Sequence, residues 1–182
     1  IDLDIEGTTL ANQAAGERRA KVIAKLQTDR RKAGQRLSVW LTLPVTPEGL
    51  SLDGTKTVEL FLKNKVDLAG VNAMTMDFGE SLRDLSMLDG AKRALEQTHR
   101  QVKIIYEQAG ISLSSETVWA KIGATPMIGQ NDVPAESFSL QDAVALNTFA
   151  RQQGIGRMSM WSANRDITCG SNFIDLKQVS NS

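Results

Sequence analysis

An α/β fold built on a parallel sheet is predicted by the way short apolar β-type runs alternate with longer segments of helical period. Successive strand ends lie roughly 33 to 50 residues apart, about what a strand, a helix and two loops need in a (β/α)8 barrel. A third observation is the opening strand, IDLDIEG, one face of which is made entirely of carboxyls. Five βα units are visible, and three more would take roughly another hundred residues at this spacing. Residues 1–182 are therefore read as one partial barrel domain, without a repeat, a linker or a second domain.

Strands are expected at residues 1–6, 37–43, 70–76, 121–127 and 157–161. The first helix is expected from Thr9 to Ala33, with Val22, Ile23 and Leu26 as its apolar stripe, a charged outer face, and Gly34 as its stop. A shorter helix is expected at residues 56–64, a long one at 90–109 ending on Gly110, and another at 139–153 ending on Gly154. In the last, Ser139 and Asp142 have the spacing of a capping box.

Composition narrows the partners. Lysine plus arginine and aspartate plus glutamate are both 21, so no net field favours nucleic acid, an acidic partner or an anionic membrane. The longest apolar runs fall far short of the ~20 residues of a membrane helix. A neutral or weakly charged substrate fits best. The chain starts at Ile1 inside a strand-like run, so a leader and further residues are expected to have preceded it. The single cysteine, Cys169, excludes an internal disulfide, and it is read as an idle thiol or as paired with a residue beyond Ser182.

Period-2 alternation puts Ile1, Leu3 and Ile5 on one face of the first strand and Asp2, Asp4 and Glu6 on the other. A parallel strand covered on both sides is nearly all apolar, so this carboxyl face must meet water or a functional cavity. Side chains about 7 Å apart along a strand repel one another when all are ionised, so one carboxyl is expected to keep its proton. Glu6, nearest the C-terminal end of the strand where barrel active sites open, is the natural general acid.

DxDxE followed by glycine resembles the end of DxxDxDxE, the hallmark of glycoside hydrolase family 18, the chitinases and their relatives. VNAMTMDFG is similar to the sixth-strand segment of that family. TPMIGQND and GIGRMSMWSANRD are similar to the seventh and eighth strands of a bacterial subgroup. The resemblance covers essentially the whole chain and implies the fourth to eighth βα units of the barrel. It implies Glu6 as acid and base, Asp4 as the residue that orients the substrate acetamido group, and Asp2 as the carboxyl that shares a proton with Asp4. The family uses no enzyme nucleophile, because the N-acetyl oxygen attacks its own anomeric carbon.

Met74, Met76 and Asp77 match the family's MxYD segment, with methionine where the family has tyrosine. The polar duty of that tyrosine is assigned to Asp77, Gln130 or Asn131. Met74 and Met76 also suit plain core filling. Trp161 falls where the family places an indole beneath the reacting sugar. Tyr106, Trp40 and Trp119 are read as packing, and His99 as too isolated for a triad. No metal or cofactor motif is present in the sequence.

Together these readings give a secreted chitinase, a hydrolase of β-1,4-linked N-acetylglucosamine that acts with retention and is monomeric when full-length. An endo-β-N-acetylglucosaminidase of the same family and a non-catalytic chitinase-like lectin are the alternatives. Five strands of a closed barrel leave two open edges, so the 182-residue segment by itself is expected to be unstable and inactive.

Overall fold

The computed structural model of the protein describes residues 1–166. Cys169 lies outside them. Strand β1 (Asp2–Asp4) leads into a short helix α1 (Gly7–Ala11) and then α2 (Gln13–Lys32), β2 (Trp40–Thr46), β3 (Gly49–Leu50) and α3 (Leu52–Lys63). Next come β4 (Gly70–Thr75), α4 (Met87–Gln108), α5 (Ser115–Trp119) and β5 (Ile122–Pro126). A two-stranded hairpin, β6 (Gly129–Gln130) and β7 (Ser137–Phe138), precedes α6 (Leu140–Gln153) and β8 (Arg157–Met158).

Five strands run parallel in the order β1-β2-β4-β5-β8, so the order across this path is the order in the chain. A doubly wound sheet would reverse direction at a switch point, and this one does not. Leu41, Leu43, Val71, Ala73, Ile122 and Ala124 point to one face, and each is at most 1% exposed. Against that face pack α3 and α4, which contribute Val58, Phe61, Ala91, Leu95 and Val102. Full burial of one such Leu, Val or Phe is worth about 1.5–3 kcal/mol.

The opposite face is concave. Arg157 on β8 and Asp2 on β1, the two ends of the strand order, form an ion pair of 2.5 Å. In a flat sheet four steps of about 4.8 Å would hold these strands ~19 Å apart, beyond the combined reach of the two side chains. The sheet must therefore curl toward the face that carries them.

Serine caps set where the helices begin. Ser51 Oγ accepts from Gly54 N (3.1 Å) and Ser86 Oγ from Asp89 N (3.1 Å), so α3 and α4 start four and three residues earlier than expected. Ser139 and Asp142 form the anticipated capping box, and Gly154, at φ 76°, takes the left-handed position that stops α6.

The first helix departs most from expectation. It breaks at Asn12, whose Oδ1 accepts from Ala15 N (3.0 Å) and starts α2 afresh. Val22 and Leu26 are 58% and 41% exposed, so of the anticipated stripe only Ile23 is buried. The inward row is Gly16, Ala20, Ile23 and Gln27. Gln27 is polar yet buried because its amide is fully matched: it donates to Leu37 O and Asp67 O and accepts from Asp67 N. It thereby ties down the loops that enter β2 and β4. The strands keep their expected places, although β2 starts three residues late and runs on to Thr46, where it turns back to pair with β3.

On the concave face Asn72 of β4 donates to Thr42 Oγ1 on β2 (3.0 Å) and Thr125 Oγ1 on β5 (2.7 Å). Gly123 makes room for it, since a Cβ there would lie 2.6 Å from Asn72 Oδ1 and 3.1 Å from its Cα. Gly123→Ala is expected to destabilise the full-length protein by about 1–3 kcal/mol, read as a lower urea midpoint. An unchanged midpoint would show that this rung yields without cost.

Candidate active site

Asp2, Asp4 and Glu6 all lie on the exposed, concave side of β1 and its continuation, while Ile5 between them is buried at 2%. Ile5 N still donates to Thr42 O, so the alternation runs past the last strand residue and sets Glu6 at the C-terminal rim. The period-2 reading of IDLDIEG is therefore the geometry observed.

The three carboxyls are not equivalent. Asp2 has both oxygens occupied: Oδ1 accepts from Thr42 Oγ1 (2.6 Å) and Oδ2 meets Arg157 Nη1 (2.5 Å). Glu6 is held above the ordinary glutamate range, first by partial loss of its water shell, then by the charge of Asp4 and by a hydrogen bond with Asp4. A carboxyl that keeps its proton beside a neighbour that stabilises positive charge can protonate a leaving group and later take a proton from water.

A second cluster forms where β4 ends. Asp77 has a φ of 48°, a left-handed conformation costly for a residue with a side chain. Three residues from the β5–β7 segment hold it there. Asp77 N donates to Asn131 Oδ1 (3.2 Å), and Asp77 Oδ1 accepts from Asp132 N (2.8 Å) and Val133 N (3.3 Å). Glu136, 2% exposed, accepts from Phe78 N with one oxygen (3.0 Å) and from Gly79 N with the other (2.6 Å). Burial raises the Asp77 carboxyl, against the two backbone donors. Glu136 is also raised, by burial first and with a contribution from Asp77, while its own two N–H donors oppose the shift.

Gln130 and Asn131 both make hydrogen bonds within the fold. Asn131 is buried, and its Nδ2 donates to Met127 O (3.0 Å) and Gly129 O (3.3 Å). Gln130 Nε2 donates to Glu136 O (2.8 Å), and its backbone carbonyl accepts from Arg165 Nη2. Both amides therefore shape the segment between β5 and β7 against which Asp77 is held. Glu136 had no signal in the sequence, because a carboxylate that binds backbone N–H groups leaves no motif.

The remaining candidates divide cleanly. Met74 is half-buried on the concave face in register with Thr125, and Met76 is buried just beyond β4. Trp161 is 54% exposed at the C-terminal end of β8, beside Met127 of the next strand, so its indole is open to a ligand. Tyr106 is buried, and its hydroxyl is pushed up to about 12 by that burial. His99 is buried and stacks on Trp119 with ring centres 4.3 Å apart. Tyr106 is a packing residue, as expected. Trp40, however, lies against the Arg157 guanidinium (5.4 Å).

Replacing Glu136 by alanine leaves the N–H groups of Phe78 and Gly79 without a partner. The expected cost in the full-length protein is about 1–3 kcal/mol, with faster hydrogen exchange at these two amides. Unchanged exchange would mean that Asn131 and Asp77 secure the turn without Glu136.

No family model matches the chain. Over 180 residues, 95% of its length, it is 35% identical to a probable bifunctional chitinase/lysozyme of Escherichia coli (strain K12), of which it covers 20%. Over 174 residues it is 35% identical to Endochitinase 11 of Metarhizium anisopliae, of which it covers 33%. All of the chain superposes on the catalytic domain of a hyperthermophilic chitinase from Pyrococcus furiosus, with a TM-score of 0.81, 30% identity and 55% of that chain covered. Catalytic-site mutants of active domain 2 of a thermostable chitinase from the same organism, complexed with chito-oligosaccharides, give a TM-score of 0.82 at 30% identity. The chain thus spans between a fifth and about half of these proteins. By sequence over nearly its whole length and by fold over all of it, the chain is similar to proteins named as chitinases and superposes on about half of a chitinase catalytic domain.

Proposed function

We propose that the chain is the part of a secreted chitinase's (β/α)8 barrel that carries the catalytic carboxyls, and that it hydrolyses β-1,4-N-acetylglucosamine linkages with retention. The observation that carries this reading is the row of Asp2, Asp4 and Glu6 on one face at the rim of a concave sheet, with Glu6 inclined to keep its proton beside Asp4. Glu6 donates its proton to the glycosidic oxygen as the bond to the anomeric carbon breaks. The acetamido oxygen of the same sugar attacks that carbon, and Asp4, accepting from the acetamido N–H, stabilises the cationic oxazolinium ion. Glu6, now a carboxylate, removes a proton from the water that opens the ring, and configuration is retained.

Asp77, set in its turn by Glu136 and Asn131, and the open indole of Trp161 supply a polar edge and a stacking face for the sugar. Closure of the barrel is supported by the curvature of the sheet and by the partial coverage of the chitinase relatives. The paired edges of a closed barrel would satisfy the outer backbone groups of β1 and β8.

In the full-length protein, Glu6→Gln is expected to lower kcat on chitin oligomers by roughly 10²- to 10⁴-fold and to leave oligomer binding in place. Equal rates would sink the mechanism. Proton NMR of the first product should show the β configuration at the new reducing end, and an α product would rule out retention. Faster release from glycoprotein glycans than from chitin oligomers would favour the endo-β-N-acetylglucosaminidase, and tight binding without release by the unaltered protein would favour the lectin.

Glu6 also has a stability signature. Its proton affinity is higher in the folded state than in the unfolded chain, so its contribution is complete below the unfolded value of ~4.3 and is lost as pH rises through the raised folded value. Glutamine cannot ionise. Glu6→Gln should therefore have a higher Tm than wild type at neutral pH, and the difference should close below pH ~4. A lower Tm at neutral pH would contradict the assignment.

A further inference from the structure

The indole of Trp161 is rooted in the sheet, but the chain beyond it leaves the ladder. Trp161 N donates to Pro126 O (2.9 Å), and its carbonyl accepts from Ile128 N (3.0 Å). A single 3₁₀ turn follows at Ala163–Arg165, closed by a bond from Arg165 N to Ser162 O (2.8 Å). The last side chain of that turn, Arg165, is a cation only 9% exposed. Burying a guanidinium is costly unless its charge and donors find partners. Its Nη2 donates to the carbonyl of Gln130, 35 residues back in the chain, and its Nε meets no acceptor among the described residues.

The Gln130 carbonyl belongs to a bonded segment. Gln130 Nε2 donates to Glu136 O (2.8 Å), the neighbouring Asn131 Oδ1 accepts from Asp77 N (3.2 Å), and Glu136 holds the N–H groups of Phe78 and Gly79. One path of hydrogen bonds therefore joins the turn after Trp161 to the turn that carries Asp77. The charge of Arg165 reaches Asp77 as well: burial is the largest influence on that carboxyl and raises it, and Arg165 opposes the rise.

We infer that Arg165 is a positioning residue that sets the Trp161 indole in register with the Asp77 turn, so that a sugar stacked on the indole meets Asp77 and Glu6 in one fixed pose. The inference rests on the chitinase reading and deepens it. Stacking on a flat ring leaves a sugar free to slide, and a displacement of about 1 Å from the acid can cost on the order of 100-fold in rate. A planar guanidinium, which donates along fixed directions, suits the task better than a flexible ammonium.

The test uses the full-length protein with Arg165→Met, Trp161→Ala and the two combined, assayed on chitin oligomers. R165M should lower kcat by about 10- to 100-fold with a smaller change in KM. In the W161A background the same substitution should change kcat by less than about twofold, a non-additivity that a general loss of stability does not produce. Without sugar, the heteronuclear NOE of the Trp161 indole N–H should fall in R165M, reporting a ring released on the ps–ns timescale. If R165M does not fold, Arg165→Gln, too short to reach the Gln130 carbonyl, runs the same cycle. Rate losses that multiply in the double variant overturn the proposal, as does an unchanged indole NOE. Wild-type protein without Glu6-dependent release of sugar would instead sink the chitinase reading, and the sugar-free NOE would still decide whether Arg165 holds the indole.

Discussion

A parallel strand offers its side chains alternately to two faces, and here one of those faces is given wholly to the helices. Because Leu41, Val71, Ile122 and their neighbours must be buried against α3 and α4, the residues between them have no choice of direction. Trp40, Thr42, Asn72, Met74, Thr125 and Arg157 are thereby collected on the concave side with Asp2, Asp4 and Glu6. Chemistry at the site is thus a by-product of packing on the other face, and a one-residue slip in any strand would exchange the two sets.

Two kinds of force finish the site. At the base Asp2 pairs with Arg157, and Asn72 Nδ2 bridges Thr42 and Thr125 while its buried Oδ1 has no hydrogen-bond partner among the described residues. At the rim the carboxyls of Glu6, Asp77 and Glu136 all lose water, and all three are shifted toward their protonated forms. Glu136 and Asp77 offset that loss with backbone N–H donors, whereas the causes acting on Glu6, its lost water and Asp4, all raise it.

Much of this was legible in the residues. Each strand announced itself as an apolar run, and IDLDIEG displayed its carboxyl face at once. The capping serine of α6 and the glycine that ends it were equally plain. The stripe on α2 was misread because its inward row uses Gly16, Ala20 and Gln27, residues that score poorly as apolar and are admitted by close approach and a matched amide. Asn131 and Gln130 look like ligand-binding amides in a one-dimensional pattern. In the fold the Asn131 amide donates to the Met127 carbonyl and the Gln130 amide to the Glu136 carbonyl, contacts that spacing does not announce. The partnership of Asp2 with Arg157 joins opposite edges of the sheet and could not be inferred from spacing.

The buried rung through Asn72 also bears on how the sheet finds its register. Sliding one parallel strand past another by two residues preserves the division into apolar and polar faces, so hydrophobic burial by itself cannot forbid it. The rung can. Asn72 needs a hydroxyl on each side and the vacancy above Gly123, and a two-residue slip would set it against Lys121 or Thr125, where a Cβ fills that space. One amide thus acts as a key for three strands, penalising near-native alignments that the core would accept.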